Sequence, residues 1–242
     1  MNWGPFTKYK NAVTTELFIA TAVGMYEAFH RDGMLEASIR AWIWFKNSGM
    51  INAQGLVNDG LTTTCQYPLI VFCGRRRNNG QTTWAYNQGI VLSGLSKLYK
   101  HTGDPSLIEA AQHLIDSVIS SGLVPADDGI LVESGDQART CNQDQWMFKG
   151  VFFEHLGYFL WDVAEMQELT VATRVALLQK YRPFIHANAH AVWTVRGEDG
   201  TVSSYWSEPS DHRQVSVETL GSGVAALACA VRVDLLLESL GE

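Results

Sequence analysis

Two aromatic rings and two amides gather in the stretch Trp84-Ala85-Tyr86-Asn87-Gln88-Gly89. Such a set has two uses. It caps and packs the start of a helix, or it grips a ligand, with rings stacking on a flat face and amides hydrogen-bonding polar groups. Asn58-Asp59-Gly60 adds a carboxylate, in a tripeptide that also forms Asx-turns. His186 and His190 have the spacing of a two-histidine zinc face, but no Glu follows His186 and no third ligand is evident, so no metal site is assigned. The chain holds no phosphate-binding Gly loop, dinucleotide fingerprint, Gly-x-Ser-x-Gly or nucleic-acid motif, so no cofactor and no nucleic-acid partner are expected.

The elements that position these residues emerge from comparing the chain with itself. A shift of 73 residues lays Leu17 to Leu35 on Ile90 to Ile108 without a gap, aligns Tyr26 with Tyr99, and aligns Ser48-Gly49 with Ser121-Gly122. Each copy reads as an apolar-periodic helix, a turn, a second helix and a Gly stop. In Thr102-Gly103-Asp104-Pro105, Gly103 suits the position after a helix, Asp104 an N-cap and Pro105 a first helical position. The same shift sets Asn11 opposite Trp84 and Thr14 opposite Asn87, so two helix starts face one mouth.

A weaker third copy starts at Phe148-Lys149-Gly150-Val151. Its first helix runs to about Glu165 and its second from about Val171 to Val192, and residues 214–237 supply one more helix. Seven helices with long polar loops at 58–83 and 122–144 predict an all-α protein, with 129–133 as the one candidate for a short loop strand. Hairpins of this length favour an α/α barrel of the six-hairpin toroid type over a solenoid. Such a ring has twelve helices, so residues 1–242 are read as one incomplete barrel domain. Trp42, Trp44 and Phe45 read as helix core.

With 46% hydrophobic residues the chain can bury a large core, and a net charge of −7 argues against a polyanion-binding surface. Arg75-Arg76-Arg77, beside Gly74 and Asn78-Asn79-Gly80, reads as a solvated loop. No run is read as a membrane span, and the N-terminal residues lack the order of a signal peptide. Cys229 reads as a buried thiol; Cys65, Cys73 and Cys141 fall in loop-like sequence, and no Asn-x-Ser/Thr acceptor occurs.

Three blocks carry a family resemblance: Lys10-Asn11-Ala12-Val13-Thr14-Thr15-Glu16-Leu17, Gly55-Leu56-Val57-Asn58-Asp59-Gly60-Leu61, and Trp84 to Gly89. With Gly129 to Glu133, Cys141, Asp144 and Phe148 to Phe152 following in order, the sequence resembles family 76 glycoside hydrolases. These are endo-acting α-1,6-mannanases, with fungal relatives implicated in cell-wall mannoprotein cross-linking. Thr15 departs from the family, which usually has Asn there. The resemblance implies mannan or a mannoprotein glycan as partner and an extracellular or cell-wall location. It makes Asp59 a carboxylate for a mannose hydroxyl, Trp84 and Tyr86 stacking platforms, and Asn87, Gln88 and Asn11 further substrate contacts. It also lets Cys141 pair with Cys65 or Cys73 in a secreted protein.

Retaining glycosidases use two carboxyls about 5–5.5 Å apart. The family's pair is two adjacent aspartates in a helix upstream of the Lys-Asn-Ala block. Asp127-Asp128, the sole Asp-Asp dipeptide, lies in turn-like sequence, so no catalytic residue is assigned and the chain is expected to be inactive. The alternatives are a non-catalytic carbohydrate-binding or scaffold protein with the same cleft, and a zinc-dependent α/α-barrel enzyme. Glu133 and Asp144 read as pins of the long loop, with Lys149 as ion partner. An exposed apolar flank on the helix 11–29 implies self-association.

Overall fold

The computed structural model describes residues 1, 2, 4, 8–62, 77–208 and 215–241. Among them the chain forms β1 (Lys10–Asn11), α1 (Ala12–Phe29), α2 (Asp32–Asn47), β2 (Gly60–Leu61), α3 (Ala85–Thr102), α4 (Ser106–Ile119), a 3-10 turn at Gln145–Met147, α5 (Phe148–Glu165), α6 (Val171–Val195) and α7 (Val217–Ser239). They fall into two compact units, Met1–Ser117 and Val118–Glu242.

In the first unit α1 packs on both α2 and α3. The 73-residue shift is physically exact at helix ends: Ala12 + 73 is Ala85 and Phe29 + 73 is Thr102, giving two 18-residue helices. Each closes on a left-handed residue, His30 (φ 50°) and Gly103 (φ 68°), whose N–H donates to Tyr26 O at 2.8 Å and Tyr99 O at 2.7 Å. Asp104 then accepts from Ser106 N at 3.0 Å and starts α4. The side chain of Gly94 is absent where α1 needs room, since a Cβ there would lie 2.9 Å from Ile19 Cγ2. Ala12, Ile19, Val23, Trp42, Phe45, Val91, Leu95 and Leu98 form the core of this unit. Trp44 is not part of it: the ring is 37% exposed, with Lys10 Nζ 5.7 Å from its centre.

The second unit packs α7 on α5 and α6. Thr170 caps α6 by accepting from Thr173 N at 3.1 Å, and Ser216 with Thr219 forms a reciprocal capping box on α7. Gly150 lets α5 approach α7, and Ser222 Oγ accepts its N–H at 2.8 Å. Phe152, Phe153, Phe184 and Trp206 fill the centre. Residues 129–133 form no strand; the segment is irregular, tied by Val132 N to Leu123 O at 2.8 Å. One α-helix among the described residues, α7, is long and apolar enough to cross a membrane, with a mean hydropathy of 1.8, which corrects the sequence reading that no run reaches that length. Less than half of its apolar stretch is buried, on a face that includes Ser222, Gly223, Ala226, Cys229, Ala230 and Val233. A packed core helix meets the same description.

Candidate functional site

Asp59 is the centre from which the site is built. Its carbonyl accepts Ala12 N–H at 2.8 Å, satisfying a donor left open at the start of α1. Its N–H donates to Thr82 O at 3.2 Å, in the segment that leads into α3. Antiparallel pairing of Asn11 with Gly60 and of Lys10 with Leu61 fixes the register. A third segment joins at Asn78 and Asn79, whose backbone reaches Leu61 and Gly60. Two helix N-termini and one loop carboxylate are thus tied together by backbone bonds.

Asn58, beside it, is nearly buried. Its oxygen accepts from Asn52 Nδ2 at 2.8 Å and Asn78 Nδ2 at 2.9 Å, its amide donates to Gln81 O, and its N–H reaches Met50 O at 3.0 Å. The residue order Asn-Asp therefore separates the tasks: Asn58 holds the loop and Asp59 faces outward, half-buried.

Trp84 is the residue flanking α3, with no side-chain capping bond, and it is half-buried, as is Tyr86. Asn87 is fully buried in the first turn. It lies close enough to Tyr86 to act on that hydroxyl, yet neither amide atom makes a hydrogen bond of ordinary geometry. Burial, reinforced by the charges of Asp59 and Glu16, pushes the Tyr86 phenol above its ordinary value. Asn11 is buried and its oxygen accepts from Thr14 Oγ1. Gln88 is held by the backbone of its surroundings. It is fully enclosed, accepting from Val57 N at 2.7 Å and donating to Val57 O at 2.8 Å and Trp84 O at 2.9 Å. Its amide is occupied in holding the loop that carries Asp59.

Two residues escaped the sequence reading. Glu16 has no exposed surface, and neither carboxylate oxygen has a partner among the described residues; burial and then the charge of Asp59 raise its pKa well above the usual carboxylate range. A signal existed, because Ala12, Glu16, Ile19 and Val23 share the buried helical stripe. Tyr9, just before β1, donates to Asp59 Oδ2 and gave no periodic signal.

In the second unit Lys149 does form a buried ion pair, with Asp136. Asp136 Oδ2 also accepts Glu133 N at 2.9 Å, Lys149 donates to Ser204 O, and its ammonium sits 4.9 Å from the centre of the Trp206 ring. Asp144 is exposed. Asp127 and Asp128 lie in a turn, where Asp128 accepts from Ile130 N at 3.0 Å and Ser207 Oγ at 2.6 Å. His186 faces Asp234 Oδ1 at 3.0 Å and His190 faces Thr194 at 3.4 Å, so the two rings serve different partners. Cys141 and Cys229 are buried thiols, each pushed up to about 12 by burial first. Cys65, Cys73, Arg75 and Arg76 lie outside the described residues.

The chain is similar to several known proteins. The mannan endo-1,6-alpha-mannosidase DFG5 of Saccharomyces cerevisiae is 31% identical over 162 residues, covering 64% of this chain and 32% of the relative. The mannan endo-1,6-alpha-mannosidase DCW1 of Candida albicans is 26% identical over 165 residues, covering 64% and 33%. The chain thus spans about a third of the length of these relatives. Among solved structures, an inactive variant of the alpha-1,6-mannanase GH76A of Salegentibacter sp., in complex with alpha-1,6-mannotriose, superposes with a TM-score of 0.77 at 20% identity, over 96% of this chain and 62% of that one. This likeness makes the fold all-α, of helical hairpins of the α/α-barrel type. A sequence model of the family matches residues 1–238, which places the whole of the site and both units within it; the chain belongs to glycosyl hydrolase family 76.

Proposed function

We propose that this chain carries carbohydrate-binding machinery for α-1,6-linked mannan, from an enzyme that cleaves such glycans or transfers them to a cell-wall acceptor outside the cell. The observation that supports this most is the placement of Asp59. It is anchored through its backbone to the starts of α1 and α3, and it shares an electrostatic neighbourhood with Tyr86. A sugar hydroxyl donates to the Asp59 carboxylate, a charge-assisted bond that contributes about 1.5–3 kcal/mol. Trp84 and Tyr86 supply rings for a pyranose face, and Asn87 supplies an amide beside them.

Hydrolysis with retention needs a nucleophilic carboxylate and a proton-donating carboxyl on either side of the glycosidic bond. Asp127-Asp128 sits in a turn rather than on a helix, and Glu16 is enclosed. These placements favour binding without cleavage by the 242 residues alone. Calorimetry with α-1,6-mannotriose tests the reading. Saturable binding that weakens about 10- to 150-fold in Asp59→Ala, and weakens in Trp84→Ala, supports it, and a wild-type titration without heat removes it. Release of reducing ends from α-1,6-mannan would overturn the inactivity. The exposed apolar residues Leu17, Met25 and Phe29 on α1 also support self-association, which sedimentation across a concentration series tests.

A further inference from the structure

The hydrogen bonds around Asp59 have a fixed direction. Asn79 Oδ1 accepts from Gln81 N at 3.0 Å, which turns Asn79 Nδ2 toward Tyr9 Oη at 2.8 Å. Tyr9 is therefore an acceptor toward Asn79, and its own proton goes to Asp59 Oδ2. Asp59 Oδ1, by contrast, accepts no hydrogen bond among the described residues. Gly60 makes this possible, because a Cβ there would lie 2.8 Å from Tyr9 Oη and 2.4 Å from Lys10 O. A side chain at position 60 displaces the phenol.

We propose that Tyr9 is a positioning residue of the sugar site: it occupies Asp59 Oδ2, fixes the carboxylate plane, and leaves Oδ1 as the dedicated acceptor for one ligand hydroxyl. The identification of the ligand as a polyhydroxylated sugar rests on the proposed function; the Tyr9–Asp59 pairing does not. A carboxylate without this brace rotates about its terminal torsion and presents either oxygen. Fixing it removes that freedom before the ligand arrives and confines recognition to one hydroxyl direction.

Calorimetry with α-1,6-mannotriose on wild type, Tyr9→Phe, Asp59→Ala and the double variant tests the proposal. Tyr9→Phe keeps the ring and is expected to weaken binding about tenfold, the loss of one charged-group hydrogen bond. It is expected to add nothing to Asp59→Ala, since the brace then has nothing to hold. Unchanged affinity in Tyr9→Phe, or a loss that adds fully to that of Asp59→Ala, overturns the proposal. A ligand-independent readout separates its failure from that of the sugar reading. The Tyr9 hydroxyl proton is expected as a protected, low-field resonance that vanishes in Tyr9→Phe and moves in Asp59→Ala. If wild type binds no mannotriose but the resonance behaves this way, the sugar reading falls and the pairing stands. A resonance insensitive to Asp59→Ala overturns the positioning role whatever binds.

Discussion

Glu16 and Asp59 are two carboxyls of opposite condition at the start of α1: Asp59 is half-buried and hydrogen-bonded, while Glu16 is enclosed, unpartnered among the described residues and subject to the charge of Asp59. The folded state keeps a proton on Glu16 where the unfolded chain has lost it. Bound protons therefore favour folding, and stability falls as pH rises from the ordinary carboxylate value of 4.5 toward the raised one. Glu16→Gln removes that slope. Thermal melts from pH 4.5 to 8.5 should show the wild type losing stability relative to the variant as pH rises, since His155 and the other shifted groups act alike in both. At the alkaline end the variant should melt at least about 2–4 °C higher, the shift that ~1 kcal/mol produces in a chain of this size. A gap between the two curves that stays constant or closes as pH rises would sink the idea.

Gln88 holds the loop that carries Asp59. Gln88→Ala leaves Val57 N–H and C=O buried without their partner, at about 2–4 kcal/mol. Amide exchange at Val57 should accelerate by about 30- to 1,000-fold, the equivalent of that energy. Unchanged exchange would mean that the loop is held elsewhere.

Much of this was legible in the sequence, and the failures have identifiable causes. The 73-residue shift located α1 and α3 because the helix ends are set locally, by an apolar period and a left-handed stop at His30 or Gly103. It even extends to loop chemistry. Ser48 Oγ donates to Phe45 O at 2.7 Å and accepts Met50 N at 3.1 Å; Ser121 repeats both with Val118 at 2.8 Å and Leu123 at 3.1 Å. Pairings between distant segments were not legible. Lys149 had several acidic candidates nearby, and only the folded backbone selects Asp136. Trp44 was misplaced because Trp42, Trp44 and Phe45 cannot all face inward at 100° per residue.

Lys149 and Asp136 are both almost fully enclosed. Lys149→Met strands the Asp136 carboxylate and should destabilise the second unit by ~3–5 kcal/mol, while adding Asp136→Asn should return much of the loss. Urea denaturation of Lys149→Met, Asp136→Asn and the double variant gives the numbers. Additive losses would show that the two charges do not interact.

Two glycines of α5 should respond oppositely to alanine. At Gly150 the new Cβ meets Ser222 Cα at 2.5 Å, so α5 and α7 must separate, at about 1–3 kcal/mol. At Gly157 the nearest atom is Arg232 Nη1 at 2.7 Å, the mobile end of a long side chain. That group moves aside, and the gain in helix propensity, up to ~1 kcal/mol, offsets the disturbance. Melting temperatures of both variants decide it. Equal losses would show that the contact atom does not matter.

The bonds that orient Asp59 join residues 50 and 70 positions apart in the chain, Tyr9 with Asp59 and Tyr9 with Asn79. A helical turn closes over a few residues, whereas contacts of such sequence separation carry a larger loop-closure cost. The carboxylate brace is consequently among the last features to form and among the first to open. Partial unfolding that frays the start of α1 would silence recognition while leaving the helical content almost intact, so a far-ultraviolet spectrum would report a folded protein that has already stopped binding.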